Sequence, residues 1–357
     1  MKSKVWSLLA LLFALSLVAA ACGDSTDDES ADDGSASSSD SASASEPADD
    51  GDTADEGDDG EESVDLTQGG DLTFHMITHS DDGPFWSVVK RGMEAACEDV
   101  GVTCVWLPGN NDPGQMVSDI ETAVGEGSNG IAASLPSPDQ LIGPLQDAVA
   151  AGTPVITLNS GANDYQSIGA LTHVGQTEFI AGQGAGNRFS DAGATKVLCG
   201  RQEQSNVGLD ERCGGLEDTF GADNVVNEFV GLDADQTDQI NQIKAILEAD
   251  PDIDAFLGTG PVIAMSGLQA AQDLGRDLTI GGFDITPELI DAIEAGDVAF
   301  TVDQQQYLQG YLPIVLLYLN QTNLNTAGGG LPILTGPGFV TTDNAADVKA
   351  LVAEGTR

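Results

Sequence analysis

A carboxylate and an amide follow two neighbouring strands that the sequence predicts within residues 278–302. Asp284 comes directly after an apolar run typical of a buried strand, and Gln304 follows the next strand. Between them, an N-cap at Thr286 and a closing Gly296 predict a helix. Open parallel sheets bind ligands at the carboxyl ends of their strands, so we expect both side chains at a common ligand site. The alternative is that the Asp284 side chain caps the following helix and does not contact a ligand.

Two adjacent aromatic residues, Phe85 and Trp86, follow the first predicted strand and open a helix that we expect from Pro84 through Val100. The face of a sugar ring presents C–H groups that stack on an aromatic plane, so this pair suits a carbohydrate or a polyol. We expect Trp86 to face the ligand and to lie outside the core. Phe85 is equally compatible with a place in the core.

These segments resemble the bacterial sugar-binding proteins of the ribose/galactose type, the extracytoplasmic receptors of ABC importers, from about residue 70 to the end. The match rests on GFD-x-TP at residues 282–287, a helix ending in glycine, and a strand followed by glutamine. The resemblance implies an α/β fold with two Rossmann-like lobes of parallel strands joined by a three-strand hinge, the type I periplasmic binding protein fold. It also implies that Asp284 hydrogen-bonds sugar hydroxyls and that Gln304 lies beside the ligand near the hinge.

The resemblance extends to other strand ends, where this chain departs from the family pattern. Asn159 and Ser160 stand where ribose receptors have Asp-Arg, and their neutral groups imply a different ligand or weaker clamping. Gly260 replaces a ligand-binding asparagine, which leaves room for a larger ligand or for close approach of the backbone. Arg212 is expected at a helix start after a polar loop from Gly200. The expected ligand-binding residues are Asp82, Phe85, Trp86, Ser137, Asn159, Ser160, Arg212, Gly260, Phe283, Asp284 and Gln304.

The N-terminal part of the chain predicts export and anchoring. A short apolar run after two lysines predicts a signal peptide over residues 1–21 rather than a membrane span. By resemblance to bacterial lipoproteins, Cys22 would carry lipid; an ordinary signal peptide is the alternative. Residues 22–68 lack aromatic residues, lysine and arginine, which predicts a disordered acidic tether. We expect a binding domain over 69–357, with an N-lobe at about 69–174 and 305–334 and a C-lobe at about 175–304 and 335–357.

Composition and motifs exclude several classes of protein. The formal net charge is −46 with only 12 lysines and arginines, which excludes nucleic acids and anionic membrane surfaces as partners. The sequence has no G-x-S-x-G, P-loop or HExxH motif, so we expect no enzyme, no cofactor and no metal. A signal peptide and tether stand where a repressor of this fold has its helix-turn-helix. We therefore expect a monomeric lipoprotein on the extracytoplasmic face of the cell membrane, held there only by its lipid, that delivers a sugar or polyol to an ABC permease.

The sequence leaves both the role and the ligand open. A subunit that presents a sugar-like signal, such as a furanosyl autoinducer, to a sensor partner is the alternative to import. Pentoses, polyols, inositols and furanose-like signals all remain possible ligands.

Export also places four cysteines in an oxidising compartment, where they can form disulfides. Four cysteines allow three connectivities, and of these we expect the local pairing of Cys97 with Cys104 and of Cys199 with Cys213.

Overall fold

The computed structural model describes residues 70–81, 83–232 and 235–357, in which strands and helices alternate. The predicted signal segment, the tether with Cys22, and Asp82 lie outside the described residues. The strands are β1 (Thr73–Thr78), β2 (Thr103–Pro108), β3 (Gly130–Ser134), β4 (Val155–Leu158), β5 (His173–Gln176), β6 (Val197–Arg201), β7 (Val225–Phe229), β8 (Ala255–Gly258), β9 (Thr279–Phe283), β10 (Phe300–Asp303), β11 (Ile333–Gly336) and β12 (Gly338–Val340).

Each strand of the two sheets is connected to the next mainly through a helix. The helices are α1 (Gly83–Val100), α2 (Pro113–Gly125), α3 (Pro138–Ala150), α4 (Tyr165–Ile168), α5 (Glu178–Asp191), α6 (Val207–Phe220), α7 (Gln236–Ala249), α8 (Pro261–Leu274), α9 (Pro287–Ala295), α10 (Gln306–Asn323) and α11 (Ala345–Glu354). Short 3₁₀ helices lie at Ala222–Asn224 and Gly328–Gly330.

The strands form two six-stranded sheets, and each sheet is the centre of one lobe. The first lobe has the strand order β11-β5-β4-β3-β1-β2, and the second has β12-β10-β9-β8-β6-β7. Pairing is parallel except between β10 and β12, which run antiparallel. Helices pack on the sheets because each presents one apolar face, and strands such as β3 are buried along their whole length. The α/β fold with two lobes that the sequence predicts is confirmed.

The chain crosses between the lobes at three places: after β5, after β10 and between β11 and β12. These crossings bring the first residues of α5 and α10 close to the ends of strands from both lobes. Gln304 and Gln305 form the second crossing, and Gln305 has a left-handed backbone with φ of 54°. No helix in the described part of the chain has the length and apolar character needed to span a membrane.

Two disulfides join a helix to a strand within a lobe. Cys97 of α1 pairs with Cys104 of β2, and Cys199 of β6 pairs with Cys213 of α6, with Cα–Cα distances of 6.2 and 5.9 Å. This is the local pairing that we expected. Helix α6 begins earlier than expected, at Val207, because the Asn206 side chain caps it by accepting a hydrogen bond from the Gly208 amide.

Arg212 therefore lies within a helix rather than at its start. Helices α5 and α6 pack closely through glycines: a Cβ atom on Gly182 would lie 2.1 Å from the Arg212 carbonyl oxygen, and one on Gly215 would lie 2.0 Å from that of Phe179. Only glycine permits this approach, which brings the side chain of Arg212 to the start of α5.

Candidate functional site

A cavity of about 560 Å³ lies between the lobes at the carboxyl ends of their strands. Residues that follow β1, β4, β6, β9 and β10 line it together with the starts of α1 and α8. This is the edge where parallel sheets bind ligands. The lining residues are His79, Ser80, Gly83, Pro84, Phe85, Trp86, Asn110, Asn111, Asn159, Gln202, Glu203, Asn206, Leu209, Arg212, Leu232, Pro261, Val262, Asp284 and Gln304.

Asp284 and Gln304 meet at this edge, as the sequence predicts. The Gln304 Nε2 donates to Asp284 Oδ1 over 2.5 Å, and the Gln304 Oε1 accepts from Gln309 Nε2 over 2.9 Å and from Asn159 Nδ2 over 3.4 Å. The amide of Gln304 is thus held in one orientation. Helix α9 is capped by Thr286, which accepts from the Leu289 amide, so Asp284 is not the cap of that helix.

Asn159 and Asp284 occupy corresponding positions in the two lobes. Each comes directly after a strand and has a left-handed backbone, with φ of 60° and 63° respectively. Asparagine and aspartate tolerate this conformation better than other residues with a side chain, but it still costs energy. Such strain is concentrated at functional sites, where the surrounding structure maintains it.

The electrostatics of Asp284 are set by burial. Loss of water raises the pKa of the Asp284 carboxyl to about 7, while the Arg212 guanidinium and the Gln304 hydrogen bond act in the opposite direction. Arg212 Nη1 lies 3.9 Å from Asp284 Oδ2. A stronger pair forms with Glu178: Arg212 Nε and Nη2 donate to its two carboxylate oxygens over 2.6 and 3.0 Å. The charge of Arg212 is therefore balanced mainly by the buried Glu178.

A second polar cluster joins the lobes on the cavity wall. Asn206 Nδ2 donates to Glu203 Oε2 over 2.9 Å, and His79 Nε2 lies 3.4 Å from Asn206 Nδ2 and 3.6 Å from Glu203 Oε2. His79 Nδ1 is 3.0 Å from Ser134 Oγ. Burial is the main cause that lowers the pKa of His79, so its imidazole is neutral near pH 7.

The sequence-based expectation did not include His79, Glu203 and Asn206 of this cluster as ligand-binding residues. It did not include Gln202 either. His79 follows β1 directly, and Gln202 and Glu203 follow β6. The same strand-end rule that selects Asp284 would have found all three. No group of three or more histidine, cysteine, aspartate or glutamate side chains in the described ranges is placed to hold a metal ion.

Ser137 and Ser160 contact the opposite lobe instead of the main cavity. The Ser160 hydroxyl donates to Asn206 Oδ1 over 3.3 Å, and that of Ser137 donates to the Ser205 carbonyl over 3.4 Å. Beside them the Val207 amide donates to the Pro136 carbonyl over 3.1 Å. Ser137 lines a smaller neighbouring cavity of about 210 Å³. These two serines thus stabilise contact between the lobes in this structure.

Trp86 lines the cavity but also belongs to the core of the first lobe. Only 4% of its surface is exposed, and its ring meets those of His79 and Phe85 edge to face at 4.7 and 4.9 Å. The expectation that Trp86 lies outside the core is wrong. Trp86 shares the buried face of α1 with Val89 and Met93, at helical spacing. Phe85, which is half-buried, lines the cavity beside it.

Phe283 and Gly260 differ from the expected ligand-binding role. Phe283 is fully buried in the core of the second lobe. Successive residues of a strand point to opposite sides, so Phe283 faces the core while Asp284 lines the cavity. The Arg212 guanidinium lies 4.5 Å from the Phe283 ring. A Cβ atom on Gly260 would lie 2.7 Å from Gln202 Nε2. Gln202 is held there because Thr259 Oγ1 donates to its Oε1 over 2.6 Å. In this structure the space opposite Gly260 is therefore occupied by the Gln202 side chain.

Comparison with known proteins gives consistent matches over most of the chain. Residues 74–322 match the family described as periplasmic binding protein domain. The xylose/arabinose-binding protein of Sulfolobus acidocaldarius is 28% identical over 286 residues, which are 75% of this chain and 70% of that protein. The ribose import binding protein of Haemophilus influenzae is 26% identical over 241 residues, 66% of this chain and 80% of that protein.

A solved structure is more similar in sequence. The crystal structure of a carbohydrate transporter from Acidothermus cellulolyticus, in complex with myo-inositol, is 38% identical to this chain and has a TM-score of 0.77. The match covers 80% of this chain and 99% of that one.

Proposed function

Since this chain belongs to the periplasmic binding protein family, we propose that it is the sugar-binding component of an ABC importer. It captures a sugar or a sugar-like polyol between its lobes and delivers that ligand to the permease. Support comes mainly from one arrangement, the Asp284 carboxylate beside the oriented Gln304 amide on the wall of the cavity between the lobes. A carboxylate accepts hydrogen bonds from hydroxyls, and an amide both donates and accepts, which suits a ligand rich in hydroxyl groups.

The rest of the wall favours a ring-shaped ligand with one apolar face. Phe85 and Trp86 offer aromatic surface for C–H groups, while Asn159, Asn206 and Gln202 offer neutral donors and acceptors. The cavity volume of about 560 Å³ is ample for a monosaccharide or a cyclitol. Because a transporter that is 38% identical binds myo-inositol, cyclitols belong among the first ligands to test.

Anchoring at the membrane belongs to the same proposal and rests on sequence alone. Cys22 is the lipidated residue, residues 1–21 are the signal peptide and residues 22–68 tether a monomeric binding domain, without catalytic activity, on the extracytoplasmic face of the membrane. The two disulfides agree with export to an oxidising compartment. A sensor role has less support, because the relatives from Haemophilus and Acidothermus are described as import or transport proteins.

A thermal-shift screen of the purified protein against pentoses, hexoses, inositols and amino sugars tests this function. A ligand at about 100 times its dissociation constant adds roughly 2.7 kcal/mol to the free energy of unfolding, so a true ligand raises the melting temperature clearly. Failure of every neutral sugar, polyol and amino sugar to raise it would contradict the proposal.

A further inference from the structure

The cavity wall carries more negative than positive charge. Among the described residues that line it, the ionisable groups are Asp284, Glu203, Arg212 and His79. Arg212 is already paired with Glu178, which accepts two hydrogen bonds from its guanidinium. His79 is neutral near pH 7, because burial lowers its pKa. Burial raises the pKa of the Asp284 carboxyl to about 7, so near neutral pH that group carries only part of a negative charge. The Glu203 carboxylate therefore faces the cavity without a free positive charge to balance it.

Glu203 is the carboxylate with the weaker protein partners. Its Oε2 accepts one hydrogen bond, from the neutral Asn206 amide at 2.9 Å, and lies 3.6 Å from His79 Nε2. About 24% of its side chain is exposed, and it lines the main cavity and the adjoining cavity of about 210 Å³. Asp284, in contrast, is bound by Gln304 and approached by Arg212. Glu203 thus has acceptor capacity left for a ligand.

We propose that Glu203 makes this site selective by charge and that the ligand class it favours is a sugar or cyclitol with a protonated amino group. The inference rests on the proposed function, since it concerns which polyol the same cavity binds. An ammonium group donates charge-assisted hydrogen bonds to Glu203, which are stronger than those of a hydroxyl. A carboxylate or phosphate at the same ring position lies against the Glu203 carboxylate and loses its water without compensation, so the site rejects it.

Calorimetry on the full chain with matched ligands tests this selectivity. Suitable sets are glucose, glucosamine and glucuronate; the corresponding galactose compounds; and myo-inositol with an amino-deoxy inositol. We expect the amine to bind at least about tenfold more tightly than its neutral parent in at least one set, and the acid to bind most weakly. The inference is overturned if neutral compounds bind and no amine binds more tightly than its parent. If none of the compounds binds, the proposed function fails and the inference fails with it.

The variant Glu203→Gln separates charge from structure. It removes the charge but keeps an oxygen that can accept from Asn206, so we expect the advantage of the amine over its neutral parent to fall at least about tenfold. The control Glu228→Gln makes the same change at an exposed position on β7 and should alter none of these affinities. An equal loss for all ligands in Glu203→Gln, at unchanged melting temperature, would mean that Glu203 acts on contact between the lobes and would overturn the charge selectivity.

Discussion

Asp284→Asn should make the protein more stable at high pH, although it removes the carboxylate that we propose binds the ligand. The wild-type carboxyl is buried and accepts a hydrogen bond from Gln304 at 2.5 Å, and an asparagine oxygen can accept the same bond. Arg212 keeps its pair with Glu178 and its hydrogen bond to the Thr259 carbonyl in the variant. The substitution therefore removes a poorly solvated charge and leaves no buried partner without a bond.

The magnitude follows from the pKa of Asp284, which burial raises from 3.8 to about 7. Between these values the folded protein holds a proton that the unfolded chain has released. The contribution of the Asp284 carboxyl to the free energy of unfolding is therefore fully present below about pH 4 and is lost as the pH rises through about 7. The complete loss is roughly 4 kcal/mol, an upper figure since the cavity wall can relax around the charge. An asparagine does not titrate, so the variant escapes this loss.

Urea denaturation of both proteins without ligand, at about pH 4, 6 and 8, measures the effect. The contributions of the other titrating groups to the free energy of unfolding cancel when the variant is compared with the wild type. We expect similar free energies of unfolding at about pH 4 and a variant that is more stable by up to about 4 kcal/mol at about pH 8. A difference that stays constant over this range, or a variant that is less stable at high pH, would refute the assignment of Asp284 as a buried carboxyl with a raised pKa.

Three further changes test other parts of the structure. Trp86→Ala should lower the free energy of unfolding by about 3–5 kcal/mol in urea denaturation, because Trp86 is a core residue as well as a cavity residue, and unchanged stability would contradict its burial. Cys22→Ala should release the protein from membranes into the soluble fraction, and a variant that stays membrane-bound would rule out lipidation at Cys22. Mass mapping without reduction should find Cys97 joined to Cys104 and Cys199 joined to Cys213, whereas four free thiols would contradict both disulfides.

The fold and one side of the site could be predicted because they depend on local sequence patterns. Alternating apolar runs and capped helices define the strands and helices of both lobes. Asp284 and Gln304 could be placed together because each directly follows a strand, and the topology then brings the ends of β9 and β10 to one edge. Trp86 lies in the core, contrary to expectation, and its spacing to Val89 and Met93 already indicates the buried face of α1.

Other features depend on contacts between distant parts of the chain, which no local pattern records. The side chain of Gln202 fills the space beside Gly260 because Thr259 donates a hydrogen bond to it. Thr259 and Gln202 are far apart in the sequence. Ser137 and Ser160 contact the second lobe, and this could not be deduced from the strands that they follow. The pairing of Arg212 with Glu178 likewise requires the close glycine-mediated packing of α5 on α6.

Calorimetric titration with the neutral sugar or cyclitol that gives the largest thermal shift tests most directly whether the cavity between the lobes is the binding site. We predict one ligand per chain, and a loss in affinity of at least about tenfold in Asp284→Ala, since a hydrogen bond to a charged group contributes roughly 1.5–3 kcal/mol. Unchanged affinity in a variant that remains folded would contradict binding at Asp284 and place the ligand elsewhere.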